Sequence, residues 1–400
     1  MAMNSSWTGQ QWINRGAELL DPNPHLAQRL LHQGLQLEPN EAIGWFNLGI
    51  GLHQQRRIKA AVRAYQQCLA LPHNVETEQS ARNNLAQDLL LLGEWQQGWH
   101  HYAFRFNRKP GNQPVFAKAF GPSHQGALPH ERPLLLMSEQ GLGDTLQFSR
   151  YALWLQKQGF NVTLLSQPAL VPLLHEAVGL ANVAGRLDIT AWQRCHPIWM
   201  PLLDVLSSLQ AKNLWTPFSD GYLEIHPERI RTWKEKLKRT PGKKLIALHW
   251  QGNPSHEHSL YSRGRSLPFE MLLGLRQLDN VEFVSIQKGA GSEQLRLNHG
   301  LSFVKGQGLV SQSMDFLDTA AILANCDLLI SADSAVVHLA GSMGIPTWLA
   351  LRWIPEWRWG LKGEHTAWYD SVRLFRQPSD GDWKPVINAM IYAWMQSQAR

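Results

Sequence analysis

A stretch late in the chain, 327–346, carries the residue types that bind phosphate or ribose groups at the start of a helix. Its apolar run predicts a short buried strand, and Asp333 or Ser334 then stands where the N-cap of the next helix belongs. Ala335 follows and is small, so an anion could come close to the first N–H groups of that helix. A strand, turn and helix of this kind at the carboxyl edge of a parallel sheet predicts a nucleotide-binding site. The alternative is an ordinary strand–helix unit whose aspartate only caps its helix.

A second stretch, 133–158, has the same predicted order of buried strand, turn and helix. Gly141 and Gly143 allow a tight turn and the close approach of another group to the backbone. Asp144 then falls in the first turn of the helix, where the helix dipole stabilises its negative charge. There it could act as a general base toward a hydroxyl group. The alternative is again an aspartate that only caps the helix.

A long polar loop, 251–268, follows the next predicted buried strand, and loops in that position often carry function. Its candidate diphosphate ligands are Asn253, Arg263 and Arg265, because arginine side chains match phosphate oxygens in pairs. Lys288, just beyond another apolar run, is a further candidate.

Two other features of the loops leave alternatives open. His256 and His258 could suggest a metal, but no third or fourth ligand lies in sequence reach, so we expect no metal site there. The loop 352–359 is rich in Trp and Arg, and it is either a stacking platform at a cleft or a packed lid.

The elements that position these residues alternate between strand and helix from residue 133 onward. Further strands are predicted at 160–165, 196–201, 222–225, 281–287 and 347–351. This alternation predicts parallel sheets covered by helices. A final amphipathic helix is predicted near 383–398, and we expect it to pack back onto the earlier part of the fold.

Residues 1–110 are predicted to be helical and to repeat. Trp45, Leu48 and Gly49, followed by Ala61 and Tyr65, match the tetratricopeptide pattern at its expected offsets. A weaker copy precedes them and a longer one follows, as if three residues were inserted near 74–77. Three such repeats form a short solenoid whose concave face usually binds a partner. The alternative is a docking platform for the next domain.

The composition limits the compartment and the partners. The net charge of +6 is compatible with anionic substrates and is a weak indication of nucleic acid. Three cysteines, far apart in the chain, give neither a disulfide framework nor zinc spacing, which favours a reducing compartment. Without an apolar leader or a run of 18 apolar residues, we expect a cytoplasmic protein. The basic stretch 228–244 predicts a solvated helix or, alternatively, a face for anionic lipids at the inner membrane.

Together the motifs resemble one known family. The sequences GLGDTLQ at 141–147 and SADSAVVHLAGSMGIP at 331–346 are similar to motifs of the heptosyltransferase-like glycosyltransferases of family 9. The resemblance covers roughly 130–380 and implies the α/β GT-B architecture, in which two Rossmann-like domains face each other. The chain looks most similar to bacterial members in which an all-α tetratricopeptide domain precedes these two. We therefore expect an acceptor domain at 111–226 and a nucleotide-sugar donor domain at 227–400.

The resemblance also implies roles for single residues. Asp144 matches the family's proposed base, which deprotonates the acceptor hydroxyl. The residues expected to bind the donor are Gly141, Gly143, Asn253, Arg263, Arg265, Lys288, Asp333, Ser334, Ala335 and His338. Transfer by such a site inverts the anomeric centre and needs neither a divalent metal nor a cofactor, because helix dipoles and cationic side chains take up the charge of the leaving diphosphate. The loop at 250–254 lacks the lysine usual in true heptosyltransferases, so heptose is not the expected sugar.

The sequence thus predicts a metal-independent inverting glycosyltransferase that uses a nucleotide sugar. Its acceptor is a protein, a polysaccharide or a lipid-linked glycan, and its partners include a protein on the repeats and the membrane surface, but no nucleic acid. Two alternatives stay open. One is a catalytically silent scaffold that binds a nucleotide sugar while its repeats mediate protein contacts. The other is an epimerase, which would convert the nucleotide sugar without an acceptor.

Overall fold

The structure, a computed structural model, describes residues 7–106, 115–139, 141–209, 216–257, 261–297 and 300–398. The described residues fall into two compact units. The first unit contains the residues up to 121 together with the segment Glu356–Leu361. The second contains the remaining described residues from 122 onward. The predicted domain boundaries are not tested by this division and stay a prediction.

The first unit is built from helices that pack in consecutive pairs, α1 with α2, α3 with α4 and α5 with α6. They are α1 (Gly9–Glu18), α2 (Pro24–Leu37), α3 (Ala42–Gln54), α4 (Ile58–Ala70), α5 (Val75–Leu91) and α6 (Trp95–Tyr102), followed by a 3-10 turn (Ala103–Phe106) and α7 (Val115–Phe120). Small residues allow the close approach within pairs. A Cβ atom at Gly49 would lie 2.4 Å from the ring of Tyr65. The assignment to tetratricopeptide repeats stays a prediction.

The expected insertion near 74–77 lies at the beginning of α5. The side chain of Asn74 caps this helix by accepting a hydrogen bond of 2.8 Å from the backbone N–H of Thr77. The helix has 17 residues, whereas α3 has 13. A longer α5 can therefore accommodate the additional residues.

The Trp- and Arg-rich loop is packed rather than open where the structure describes it. Trp357 is 4% exposed and Trp359 is 2% exposed. Within the first unit, the ring of Trp357 lies edge-on to Trp99, with 5.3 Å between ring centroids. Of the two alternatives for this loop, the burial of these two tryptophans favours the packed one.

The second unit contains two parallel sheets, as the alternation of strands and helices predicted. The first has the strand order β3-β2-β1-β4. Its strands are β1 (Leu134–Met137), β2 (Val162–Leu165), β3 (Val183–Ala184) and β4 (Ile198–Pro201), and its helices are α8 (Leu142–Lys157), α9 (Val171–Glu176), α10 (Ile189–Arg194) and α11 (Val205–Ser208). Strand β1 is central and wholly buried, which fits its uninterrupted apolar sequence.

The second sheet has the order β6-β5-β7-β8-β9, with every pairing parallel. Its strands are β5 (Lys244–His249), β6 (Val281–Ser285), β7 (Leu328–Ala332), β8 (Thr347–Leu351) and β9 (Val372–Arg376). Its helices are α12 (Pro227–Leu237), α13 (Phe269–Leu272), α14 (Gln307–Gln312), α15 (Phe316–Leu323), α16 (Ala335–Ser342) and α17 (Lys384–Gln398). The carboxyl ends of parallel strands share one edge, so the loops after β5, β6, β7 and β8 lie along the same edge.

Three strand predictions differ from the structure, and the first is the two-residue strand β3, which was not predicted. The predicted strand at 222–225 is wrong, because this segment pairs with no strand. Its backbone instead bonds to the carbonyl groups of Ser342 and Ala177. The edge strand β9 was missed, because Arg373 and Arg376, which are half-buried, interrupt its apolar residues.

The last helix, α17, packs on the second sheet. Its Trp394 lies edge-on to Trp348 of β8, with 6.3 Å between ring centroids, and its Ile387 contacts Gly274. Its main contacts, besides that with β8, are with β9, α13 and the 3-10 turn that follows α13. The expectation that it packs back onto the earlier part of the fold stays a prediction.

The basic stretch forms helix α12 and the turn after it, and part of its charge is paired. Arg229 lies 2.8 Å from Asp318, and Arg239 and Lys244 both contact Asp327, at 2.5 and 3.0 Å. These pairs leave fewer cations for an anionic surface than the sequence alone indicates. In the part of the chain that the structure describes, we find no helix whose length and hydrophobicity would suffice for a membrane span.

Candidate functional site

The two helices that follow the central strands β1 and β7 begin in contact with each other. A Cβ atom at Gly143, in the first turn of α8, would lie 3.3 Å from the Cα atom of Ala335, the first residue of α16. The same atom would lie 2.8 Å from Cδ2 of His338. The structure thus brings together Gly143, Ala335 and His338, which the sequence placed in two separate motifs. We refer to Leu142–Asp144 of α8 and Ser334–Val337 of α16 as the paired helix starts.

Asp144 caps its own helix. Its Oδ2 atom accepts a hydrogen bond of 2.8 Å from the backbone N–H of Gly141, the N-cap residue of α8. The capping role that the sequence left open is therefore present. A carboxylate offers about four lone-pair positions, so this bond leaves capacity for a second partner.

Ser334 occupies the N-cap position of α16. Its backbone is extended, but its side chain makes no capping hydrogen bond to the helix. The hydroxyl instead lies 3.2 Å from Nδ1 of His249, the last residue of β5. The N–H groups of the first turn therefore receive no bond from this side chain, and an uncapped helix start of this kind favours an anion.

His249 is a buried histidine that the sequence analysis did not single out. Burial lowers its pKa from 6.5 to about 4, so the imidazole is neutral at physiological pH. A neutral imidazole can either donate to or accept from the hydroxyl of Ser334. The signal in the sequence was a single polar residue at the end of an apolar run, directly before the long loop.

The imidazole of His338 is held by a hydrogen bond at its Nδ1 atom, away from the ring edge that lies near Gly143. Its Nδ1 atom lies 3.0 Å from the hydroxyl of Tyr369, and both side chains are buried. The Cδ2–Nε2 edge of the ring faces Gly143. Since long side chains of a helix lean toward its N-terminus, the imidazole lies at the start of α16. No local pattern in the sequence could have identified Tyr369.

The loop 251–266 is held by a buried glutamine after β6. Oε1 of Gln287 accepts hydrogen bonds from the backbone N–H groups of Trp250 and Gln251, at 3.1 and 3.0 Å. Its Nε2 donates to the carbonyl of Gln251 at 2.8 Å. The side chain of Gln287 therefore makes the hydrogen bonds to the base of the loop that the backbone of a neighbouring strand would otherwise make.

The predicted ligands in that loop contact the loop itself and Arg352, which follows β8. Asn253 accepts from the N–H of Ser255, and the guanidinium of Arg265 lies against Gly252. The carbonyl of Arg263 accepts a hydrogen bond of 2.7 Å from Arg352, a residue of the next loop but one along the sheet. Their part in donor binding stays a prediction.

The ammonium group of Lys288 already has a hydrogen-bond partner within the second unit. Its ammonium group donates to the carbonyl of Val310 in α14. Burial lowers its pKa from 10.5 to about 8, although Asp318 acts in the opposite direction. A phosphate ligand at Lys288 would have to compete with the carbonyl of Val310, and this assignment too stays a prediction.

Among the described residues there is no group of three or more His, Cys, Asp or Glu side chains that could hold a metal ion. His258 and the side chain of His256, which the sequence analysis weighed as ligands, lie outside the described part of the loop.

Comparisons with known proteins do not assign the chain to a family. No family model matches. Protein FlbA of Caulobacter vibrioides is 26% identical over 383 residues, which are 90% of this chain and 62% of FlbA. The chain therefore spans about three fifths of the length of this curated relative.

Two solved structures are similar in backbone. A family 9 glycosyl transferase from Veillonella parvula has a TM-score of 0.49 at 13% identity, over 68% of this chain and 98% of its own. The ADP-heptose lipopolysaccharide heptosyltransferase II of E. coli has a TM-score of 0.42 at 11% identity, over 66% and 99%. Both scores lie below 0.5, so the activity has to be inferred from this chain's own site.

Proposed function

We propose that the chain is a glycosyltransferase with the GT-B organisation, which transfers a sugar from a nucleotide-sugar donor to a hydroxyl group with inversion. The observation that carries the proposal is the contact between the paired helix starts, at Gly143 and Ala335. Each helix start carries roughly half a positive charge and several N–H groups without helical partners. Two such starts side by side form a site for a group with more than one negative charge, and the diphosphate of a nucleotide sugar is such a group.

Leaving-group stabilisation follows from the same geometry. As the bond between the anomeric carbon and the diphosphate oxygen breaks, negative charge grows on the diphosphate. The N–H groups at the start of α16 and the hydroxyl of Ser334 are already in place to interact with it. In this proposal, the fixed dipoles at the helix starts stabilise the charge of the leaving diphosphate, as a divalent cation does in other transferases.

Asp144 is the proposed base. It lies one residue beyond Gly143 in the first turn of α8, with one oxygen bonded to Gly141. Its carboxylate would accept the proton of the acceptor hydroxyl while the hydroxyl oxygen attacks the anomeric carbon from the face opposite the diphosphate. General-base assistance of this kind contributes about 10²–10⁴-fold in rate.

The acceptor in this proposal is a protein, presented by the helical repeats. A polysaccharide or a lipid-linked glycan is the alternative. The pairing of Arg229, Arg239 and Lys244 with acidic side chains weakens the case for the lipid surface.

A second candidate function has one observation in its favour. The bond from Asp144 to Gly141 is what a purely structural capping residue would make. The chain would then be a silent domain that binds a nucleotide sugar, while the repeats carry the protein contacts.

Two variants of one residue separate these functions. Asp144→Asn keeps an oxygen that can accept from Gly141 but is no base, whereas Asp144→Ala loses both roles. We would measure nucleotide binding by calorimetry against a panel of nucleoside diphosphates. Turnover would be measured as the transfer of radiolabelled sugars into the protein, lipid and polysaccharide fractions of a bacterial lysate.

The expected result is that both variants lose at least a hundredfold in turnover, while Asp144→Asn binds the nucleotide as the wild type does. Nucleotide binding without any turnover in the wild type would favour the scaffold. Donor conversion without an acceptor would favour an epimerase. No binding across the panel, with the protein folded, would overturn the proposal.

A further inference from the structure

The interior of α8 contains a positive charge that no acid neutralises in the described part of the chain. Arg150 is fully buried, and its nearest polar partners are carbonyl groups, with Nη1 at 2.9 Å from that of Trp368. Its Nη2 atom has no hydrogen-bond partner among the described residues. A buried cation in this state costs free energy, so a compensating role is expected.

Tyrosine rings surround this guanidinium in place of carboxylates. Its carbon lies 4.7 Å from the ring centroid of Tyr369 and 5.1 Å from that of Tyr222. Burial alone would lower the pKa of Arg150, but Tyr222, Tyr369 and Tyr151 raise it above its ordinary value, so the charge is retained. Cation–π contacts of this kind are strongest where water is absent.

Tyr369 connects this cation to the paired helix starts. Its ring packs against Gly341 of α16, where a Cβ atom would lie 2.5 Å from it, so the ring position is closely defined. Its hydroxyl bonds to Nδ1 of His338 at 3.0 Å. Arg150, Tyr369 and His338 therefore form a continuous chain of contacts that ends at Gly143.

The direction of the hydrogen bond decides what His338 presents to a ligand. A positive charge over the ring draws electron density from the phenol and makes its O–H a stronger donor. If the O–H donates to Nδ1, a neutral imidazole must carry its proton on Nε2. The Nε2–H group then lies on the ring edge that faces Gly143, beside the backbone N–H groups of the helix starts.

We propose that Arg150 and Tyr369 are positioning residues that hold His338 in the tautomer protonated at Nε2, so that His338 donates to the diphosphate of the nucleotide sugar. This inference rests on the function proposed above. It adds a side-chain donor to the backbone donors of the site. It also gives a reason for the buried charge of Arg150, which its hydrogen bonds alone do not explain.

The test compares two tyrosines that lie against the same cation. Tyr369→Phe removes the hydroxyl that meets His338 and keeps the ring. Tyr222→Phe is the matched control, since its hydroxyl bonds to the carbonyl of Leu146 instead. In the full chain with ¹⁵N-labelled histidine, NMR reports which imidazole nitrogen carries the proton, and the signal of His338 is assigned from its loss in His338→Gln.

We expect one tautomer, with the proton on Nε2, in the wild type and in Tyr222→Phe, and a mixture in Tyr369→Phe. Binding of UDP, ADP or GDP, whichever the wild type binds, should weaken about tenfold in Tyr369→Phe and change less than twofold in Tyr222→Phe. A wild type protonated at Nδ1, or a tautomer unchanged in Tyr369→Phe, would overturn the inference.

Arg150 is tested in the same way with two variants. Arg150→Met removes the charge, and Arg150→Lys retains it. We expect the mixed tautomer in the first and the wild-type tautomer in the second. If Arg150→Met does not fold, Arg150→Lys decides, because a mixed tautomer there would overturn the role of the charge. The NMR measurement needs no ligand, so a fixed tautomer without nucleotide binding would refute the proposed function and leave the positioning of His338 standing.

Discussion

The ring of His338 occupies the space where a side chain at position 143 would begin. A Cβ atom built on Gly143 would lie 2.8 Å from Cδ2 of His338 and 3.3 Å from the Cα atom of Ala335. The backbone of Gly143 is not in the left-handed region that favours glycine. Glycine is therefore required here for contact between two helices and not for its conformational freedom.

Gly143→Ala should separate the paired helix starts. The added methyl group must displace the ring of His338 or the backbone of α16, which costs about 1–3 kcal/mol in a packed interior. We expect a lower free energy of unfolding, measured with urea, and weaker binding of nucleoside diphosphates, measured by calorimetry. Gly308→Ala is the control, because a Cβ atom there meets nothing within 4 Å. Equal effects of the two variants would contradict the proposed contact.

His249 should make the chain less stable as the pH falls from 6.5 to 4. In this interval the unfolded chain binds a proton on this histidine, while burial keeps the folded form, with its pKa of about 4, neutral. The contribution is absent above pH 6.5 and reaches at most about 3 kcal/mol near pH 4. In His249→Gln, the free energy of unfolding should fall less steeply across this interval than in the wild type. A fall as steep in His249→Gln as in the wild type would contradict this assignment.

Local pattern was sufficient for much of the fold. The strands β5 and β7 and the helix α16 were predictable because uninterrupted apolar runs meet clear helix signals there. The strand β9 was not, since Arg373 and Arg376 conceal an edge strand whose other residues are apolar. Such a strand is defined by its neighbour β8 and not by its own sequence.

The candidate site, too, could be predicted from the sequence only in part. The sequence marked Gly143 and His338, each from its own motif, but gave no reason for them to touch. His249 reaches Ser334, and Tyr369 reaches His338, through the packing of elements that are distant in the chain. Contacts of this kind depend on strand order and on the approach of helices, which a single sequence does not specify.

The buried pair of His53 and Asp88 should be important for the stability of the helical unit. Nδ1 of the histidine lies 2.7 Å from Oδ1 of Asp88, and the other oxygen of Asp88 has no partner among the described residues. Burial raises the pKa of Asp88, although His53 opposes this. Asp88→Ala would remove this hydrogen bond from a buried histidine, at a cost of about 1–3 kcal/mol.

Hydrogen exchange of the full chain can localise this effect to α3 and α5, which contain the two residues. Asp88→Asn keeps an acceptor for His53 and should cost far less than Asp88→Ala. If the two variants lost equal protection in both helices, the hydrogen bond would not be the source of the stability.

Gln287 should be the residue that orders the base of the loop 251–266. Without its side chain, the N–H groups of Trp250 and Gln251 lose their acceptor, and Trp250 is only 1% exposed. An unsatisfied buried donor costs about 1–3 kcal/mol, so Gln287→Ala should destabilise the second unit by roughly 2–5 kcal/mol.

Gln287→Glu tests the cause of that effect. It restores an acceptor but removes the donor to the carbonyl of Gln251 and adds a buried charge, so it should not rescue the protein. The exposed Gln277, changed to Ala, should alter the free energy of unfolding by less than about 0.5 kcal/mol. Amide exchange of Trp250 and Gln251 should become faster in Gln287→Ala and stay unchanged in Gln277→Ala. Unchanged exchange in both variants would mean that the loop is ordered by other contacts, such as those from Arg352.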